Sequence, residues 1–534
     1  MKDSFIAAVR SSFATSTPCI TIGAPIFEKE CLPEPLVRLP IAMANRHGLI
    51  AGATGTGKTR TLQLLAEQLS ASGVPVFLAD VKGDLSGMGA DGERNDRLAV
   101  RATETGYPWA PRACPIEFLS LTGAKGAQLR ATISSFGPLL LAKVLDLNET
   151  QSSALSLVFK WCDDRKLALL DFPDLRTVLQ YLSGEGVSEL KDYGAIAKAT
   201  VNVLLRKMVE LEQQGAEKFF GEPEFDLHDL LVVSPDGAGQ ICALELGDFQ
   251  DRPALFSTFM MWLLARLYHE LPEVGDLDKP KLVFFFDEAH LLFDGASKAF
   301  LGSVEQVVRL IRSKGVGVFF VTQNPRDVPS DILGQLGNRV QHGLRAFTPD
   351  DEKALRAAAR TFPKTEFYDV EEVLKTLGIG EALVSILAPN GVPTSPVAVR
   401  VVPPSSRMGP LSEGEMSGRL GASALVREYA QAIDRESARE MLTERMDPAT
   451  GGRGADSSDD GPPPHGGAPA EPPAWSPAPQ HAPSHSPAQR RGKEPPSTLE
   501  EILRSPVTRT VTREVARGLL GALLGSPPRR RRRY

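Results

Sequence analysis

Apolar positions along this chain fall into two rhythms. Residues 47–51 (HGLIA) form a short apolar run that enters a Gly-rich loop, after which Leu62, Leu65, Ala66 and Leu69 recur at helical spacing until Ser72 and Gly73 stop the helix. Residues 74–80 (VPVFLAD) have strand composition, so strand, loop, helix and strand make the opening unit of a parallel sheet. The next clear strand signals, at 241–246 (ICALEL) and 281–289 (KLVFFFDEA), come roughly 160 to 200 residues later, whereas a crossover needs only a few tens. Residues 125–231 therefore read as an insertion. The runs NETQSSALSLVFKWCDD, LRTVLQYL and IAKATVNVLLRKMVELEQQG repeat at helical period, with Asn148 or Thr150 as a cap, which makes the insertion all-helical. Residues 252–271 are apolar nearly all round and predict a helix packed between the sheet and a neighbour. Alternation then resumes: a helix at 298–314, a strand at 316–321, a short helix at 330–336, and strands at 339–344 and 381–388. The expected fold is α/β, a doubly wound, mostly parallel sheet.

The organisation predicted from this pattern has six parts. A short β-rich segment (1–45) adds a strand or two; 46–124 is the first part of the core, 125–231 the helical insertion and 232–403 the second part of the core. A largely disordered Pro/Gly-rich linker (404–497) leads to an amphipathic helix with an Arg tail (498–534). Positions 461–500 alone hold 12 prolines, which rules out regular structure there. The whole chain, at 42% apolar and 24% charged, is nonetheless of ordinary globular composition.

Charge is uneven. Residues 490–534 carry a local +8, so the net −6 of the chain leaves −14 on residues 1–489. The body is acidic and shows no aromatic-basic nucleic-acid motif, so if DNA is gripped the expected sources of positive charge are local loops and the basic arm. Five cysteines lie far apart with no C-x-x-C pair, which indicates neither a zinc site nor a disulfide framework. No 18-residue uncharged apolar stretch occurs, so a cytoplasmic protein with no membrane insertion is expected.

The chemistry concentrates at two places. Gly52, Ala53, Thr54, Gly55, Thr56, Gly57, Lys58 and Thr59 fit the pattern G-x-x-x-x-G-K-[ST], in which glycines let backbone N–H groups wrap a β-phosphate at the positive end of the following helix. Lys58 is then expected to span the β and γ oxygens, and the Thr59 hydroxyl to ligate Mg²⁺. The apolar strand 283–286 ends in Asp287 and Glu288, at the sheet edge where the loop lies. Asp287 is placed for the Mg²⁺ shell and Glu288 to polarise a water for attack on the γ-phosphate, with two acids capping the next helix as the bland alternative. His290 reads as structural or coupling. Gln323, at the end of the next strand, is the candidate γ-phosphate sensor. Arg309 and Arg312 close the helix before that strand; there they complement the helix dipole, and Arg312 is also a candidate finger for a neighbouring subunit's γ-phosphate. The turn from Asp80 to Asp84 lies at the same edge and its role stays open.

The blocks MANRHGLIAGATGTGKT, FLADVKGDLSG, GPLLLAKVLDLNETQ, LVFFFDEAHLLF, VEQVVRLIRSKGVGVFFVTQNPRDVPSDILGQLGNRVQHGLRAFTPDD and GEALVSILAPNG, in this order across residues 18–404, resemble the bacterial HerA-like ATPases of the YjgR-like branch, within the HerA/FtsK group of DNA-pumping motors. The resemblance implies a RecA-like P-loop NTPase, ATP and Mg²⁺ as cofactors, and homo-hexameric rings with ATP sites between subunits. It implies DNA as the substrate and brings in a nuclease as partner, although the N-terminal segment is shorter than the barrel of archaeal members. On the same resemblance Gln323 matches the sensor glutamine and Arg312 the arginine that acts in trans. The expected function is ATP-driven translocation on DNA or its unwinding; the alternative is an oligomeric ATPase that remodels or assembles protein partners.

Overall fold

The computed structural model describes residues 1–247, 253–275, 277–294, 298–433 and 435–446. The prolines of 461–500 and the expected helix and Arg tail of 498–534 lie outside them.

Helix α1 (Lys2–Ser12) precedes three strands, β1 (Cys19–Phe27), β2 (Glu30–Cys31) and β3 (Val37–Pro40). Strand β4 (Gly48–Ala51), helix α2 (Lys58–Ala71) and β5 (Val76–Asp80) form the unit read from the sequence. After α3 (Asp96–Thr105) come β6 (Ile116–Ser120) and β7 (Ala127–Gln128). The insertion is built from α4 (Ile133–Val144), α5 (Glu149–Asp164), α6 (Phe172–Ser183) and α7 (Lys198–Gln213). Asn148 caps α5 in a reciprocal capping box with Gln151, as its sequence suggested. The core resumes with β8 (Ile241–Glu245), α8 (Pro253–Glu270), β9 (Leu282–Phe286), α9 (His290–Phe293), α10 (Lys298–Ile311) and β10 (Val316–Thr322). It ends with α11 (Ser330–Leu333), β11 (Asn338–His342), α12 (Pro349–Ala359), α13 (Val370–Thr376), β12 (Glu381–Ser385) and β13 (Val397–Val401).

These strands form one sheet in the order β2-β1-β13-β12-β11-β4-β10-β9-β5-β8-β6-β7, with β3 paired to β1. Every pairing from β11 to β7 is parallel, and those from β11 outward through β12, β13 and β1 are antiparallel. The central strands read as unbroken apolar runs because both faces are covered. In β9 the alternation is strict: Phe284 and Phe286 enter the core shared with α8, α10 and the insertion, while Val283 and Phe285 enter the core under α2. Each fully buried Phe contributes roughly 1.5–3 kcal/mol. The insertion is seated on α8 by aromatic edges, with Phe219 and Trp262 ring centroids 5.7 Å apart.

Two expectations are corrected. The first 45 residues are not β-rich throughout, since α1 buries Phe5 and Val9 against the first strand, with Phe5 stacked 4.7 Å from Phe27. Nor does the linker begin at residue 404. Residues 402–433 and 435–446 form a strap with helices α14 (Glu413–Ala422), α15 (Ala424–Tyr429) and α16 (Ala438–Met446). Polar ties hold it: Glu67 of α2 accepts from the Ser405 and Ser406 amides at 2.7 and 3.0 Å, Arg130 donates to the Tyr429 carbonyl at 3.0 Å, and Asp174 of α6 accepts from the Arg439 amide at 3.0 Å. The strap was read as linker because its few apolar anchors are widely spaced in a polar sequence. Among the described residues no helix is long and apolar enough to cross a membrane.

Candidate functional site

The loop of residues 52–59 joins β4 to α2, and its glycines are required by shape. A Cβ on Gly52 would sit 2.5 Å from the Cβ of His342, and Gly57, at φ +116°, takes a left-handed conformation as the N-cap of α2. His342 fills the space beneath the loop. Its Nδ1–H donates to the Glu381 carbonyl at 2.8 Å and its Nε2 accepts from the Thr61 hydroxyl at 2.9 Å, while burial holds its pKa down at about 4, so it stays neutral. The Lys58 ammonium curls back to the Ala53 carbonyl at 3.2 Å, and burial lowers its pKa. Thr56 donates to the same carbonyl at 2.6 Å.

Strand β10 separates β4 from β9, so Asp287 and Glu288 emerge two strands from the loop at the same carboxyl edge. Asp287 is 3% exposed; its Oδ1 accepts the Glu288 amide at 3.0 Å, and its buried Oδ2 has no hydrogen-bond partner among the described residues. Burial, and then the charge of Glu288, push its pKa up to about 7. Oxygens of Asp80, Asp84 and Asp287 lie within 4.8 Å of one another, and burial raises Asp80 to about 6. An orphaned carboxylate oxygen in such surroundings fits a cation, which would restore the charge balance that burial denies it. Thr59, in the first turn of α2, is the other residue of the expected Mg²⁺ pair.

Glu288 sits at φ +47°, a left-handed conformation that costs a non-glycine residue of order 1–3 kcal/mol and is found where geometry serves function. Its Oε1 is ion-paired with Lys82 Nζ, and Oε2 lies 3.4 Å from His290 Nδ1. Burial works to raise this carboxyl, but the hydrogen bond and charge of Lys82 outweigh it and hold the pKa below the ordinary value. Gln323 follows β10, and its Oε1 accepts from the Thr54 hydroxyl at 3.3 Å. A cleft of 790 Å³ opens here, lined by Ala53, Thr54, His290, Gln323, Arg345 and Asp351 among others.

The structure thus brings together the loop, Asp287, Glu288 and Gln323. It does not bring Arg312 to them: that residue lies in the turn before β10, at the amino edge of the strand whose carboxyl edge carries Gln323. Arg309 is engaged within its own helix with Glu305. Lys82 and His342 were not assigned from the sequence. The signal for Lys82 was a cation in a turn at the active edge; for His342 there was none, because its partners Thr61 and Glu381 are remote in sequence.

Comparison with known proteins places the chain in a family. The family model described as Helicase HerA-like C-terminal matches residues 28–533. Curated relatives include the conjugal transfer protein TrbE of Rhizobium radiobacter, 23% identical over 368 residues, covering 65% of this chain and 40% of that protein. Another is the DNA double-strand break repair helicase HerA of Sulfolobus acidocaldarius, 21% identical over 373 residues, covering 65% of this chain and 64% of that protein. The match therefore spans less than two thirds of these relatives. Among solved structures, the bacterial conjugative coupling protein TrwBdeltaN70 superposes with a TM-score of 0.49 at 14% identity, over 74% of this chain and 91% of that one. VirB4 of Thermoanaerobacter pseudethanolicus does so with a TM-score of 0.43 at 14% identity, over 76% of this chain and the whole of that one.

Proposed function

We propose that this chain, which belongs to the Helicase HerA-like C-terminal family, is the subunit of a cytoplasmic homo-hexameric motor that hydrolyses ATP and uses the energy to translocate on DNA or unwind it. One observation carries the ATPase reading: Asp287 and Glu288 end a buried parallel strand two places from the phosphate loop, and one Asp287 oxygen has no hydrogen-bond partner among the described residues. A passive nucleotide clamp needs no second acid at that edge.

In this reading the loop amides and the N-terminus of α2 receive the phosphates, and Lys58 leaves the Ala53 carbonyl for the β and γ oxygens. Thr59 and Asp287 would hold Mg²⁺, which would supply charge neutralisation on the phosphate oxygens. Glu288 orients the attacking water and takes up its proton, and the Gln323 amide reports whether the γ-phosphate is present. Arg312 lies at the edge opposite its own loop and is the candidate finger for the site of the next subunit. The names of the relatives, a break-repair helicase and a conjugal transfer protein, support DNA as the substrate; a nuclease is the partner class to seek.

A second reading, an oligomeric ATPase acting on protein partners, is favoured by the −14 charge of residues 1–489. ATP turnover of the purified chain with single-stranded, duplex and forked DNA, alongside its mass in solution, separates the two. Stimulation by DNA and a hexameric mass are expected. A monomer with a rate indifferent to every DNA would overturn the motor reading, and an indifferent hexamer would favour the protein-directed one.

A further inference from the structure

The glutamate assigned as base is engaged. Lys82 stands in the turn after β5, its Nζ paired with Glu288 Oε1, while His290 faces the other oxygen. The two partners differ in mobility: the Glu288 side chain is 6% exposed and held by a left-handed backbone, whereas that of Lys82 is 46% exposed. A carboxylate whose charge is already compensated by an ammonium group is a weaker acceptor for a water proton, even though Oε2 of Glu288 has no hydrogen-bond partner among the described residues. Drawing Lys82 away therefore strengthens Glu288 as the base. Lys58 lies in the field of the same groups, Glu288, Lys82 and Asp287, so Lys82 stands within electrostatic range of the lysine that receives the phosphates. A triphosphate on the loop places more negative charge there than the single carboxylate Lys82 now holds.

We propose that Lys82 is a positioning residue that exchanges partners, pairing with Glu288 when the loop holds no γ-phosphate and turning to the γ-phosphate when ATP binds, which releases Glu288 to orient the attacking water. This rests on the reading of Glu288 as the base. After hydrolysis and loss of phosphate, Lys82 returns to the carboxylate, so the ADP and empty states share one resting pair. The exchange makes the carboxylate a stronger base when there is a γ-phosphate to attack.

The test compares the affinity of the full chain for ADP and for a non-hydrolysable ATP analogue carrying an imido link. Lys82→Met should weaken the analogue at least about tenfold, the size of one charge-assisted hydrogen bond, and leave ADP within about twofold. Lys82→Arg should recover most of the discrimination. Glu288→Gln, which removes the competing charge, should tighten the analogue several-fold, a fraction of one charge-assisted contact because the amide still competes for Lys82, and Lys82→Met added to it should cancel that gain. Thermal melting verifies that the half-exposed substitution leaves the fold intact. Equal changes for the two nucleotides, or none, would overturn the exchange. A parent chain that binds neither nucleotide would instead refute the ATPase reading, so the two failures are distinct.

Discussion

Glu67 offers a quantitative test of how the strap is fastened. It lies on α2, 7% exposed, and accepts from the Ser405 and Ser406 amides and from the Ser406 hydroxyl at 2.7, 3.0 and 2.8 Å. Burial raises its pKa from 4.5 to about 7 although those hydrogen bonds oppose it. Because the folded value lies above the unfolded one, the stabilisation is complete below pH 4.5 and is lost as pH rises through 7. Between pH 5 and 8 the loss amounts to about 2–3 kcal/mol for this group. Glu67→Gln cannot titrate. Urea unfolding of the nucleotide-free chain and of the variant across that range should therefore give curves that approach or cross, the variant gaining about 2–3 kcal/mol on the parent toward pH 8. Parallel curves would mean that Glu67 is charged throughout and that its burial is better compensated than its three donors indicate.

Three further outcomes follow from the site. Glu288→Gln should bind ATP but turn it over at least about 100-fold more slowly, measured by phosphate release; retained turnover would falsify its assignment. Arg312→Ala should lose about 10³-fold in turnover, and mixing it with Glu288→Gln subunits should restore part of the rate, since each variant then supplies what the other lacks across a shared site. Near-normal turnover without rescue would return Arg312 to a helix-end cation. Chelation of Mg²⁺ should abolish turnover and, by leaving the Asp287 oxygen unpartnered, lower the melting temperature gained from ATP; an unchanged nucleotide-induced shift would count against Asp287 as ligand.

The central strands were legible because they carry one physical signature: β4, β9 and β10 are covered on both faces, so burial writes them as continuous apolar runs. Strand β6 was missed because Glu117 interrupts its run and Pro111 and Pro115 precede it, yet the sheet pairs it in register with β8. Strand β13 carries Arg400, whose ion pairs with Glu104 and Glu381 make a charged residue tolerable at that position. The loop and the acids were readable since their spacing is local. The partners of Glu288 were not: Lys82 is 206 positions away and meets it only because β5 and β9 are neighbours. The role of Arg312 was legible only as a choice between two readings, and its place in the turn before β10 leaves both standing.

The sheet also imposes an order on synthesis. Strand β1 is flanked by β13, with Gly23 opposite Val401, so the first strand made completes its ladder with the last. At ~5–20 residues per second the 378 positions between them take roughly 20–75 s to emerge from the ribosome. Through that interval β1 can pair only with its own hairpin partners β2 and β3, and one apolar edge of the nascent sheet is open to other chains. A nascent copy of this chain is thus committed to waiting for β12 and β13, a period in which chaperone binding or contact with a neighbouring nascent chain has its best opportunity.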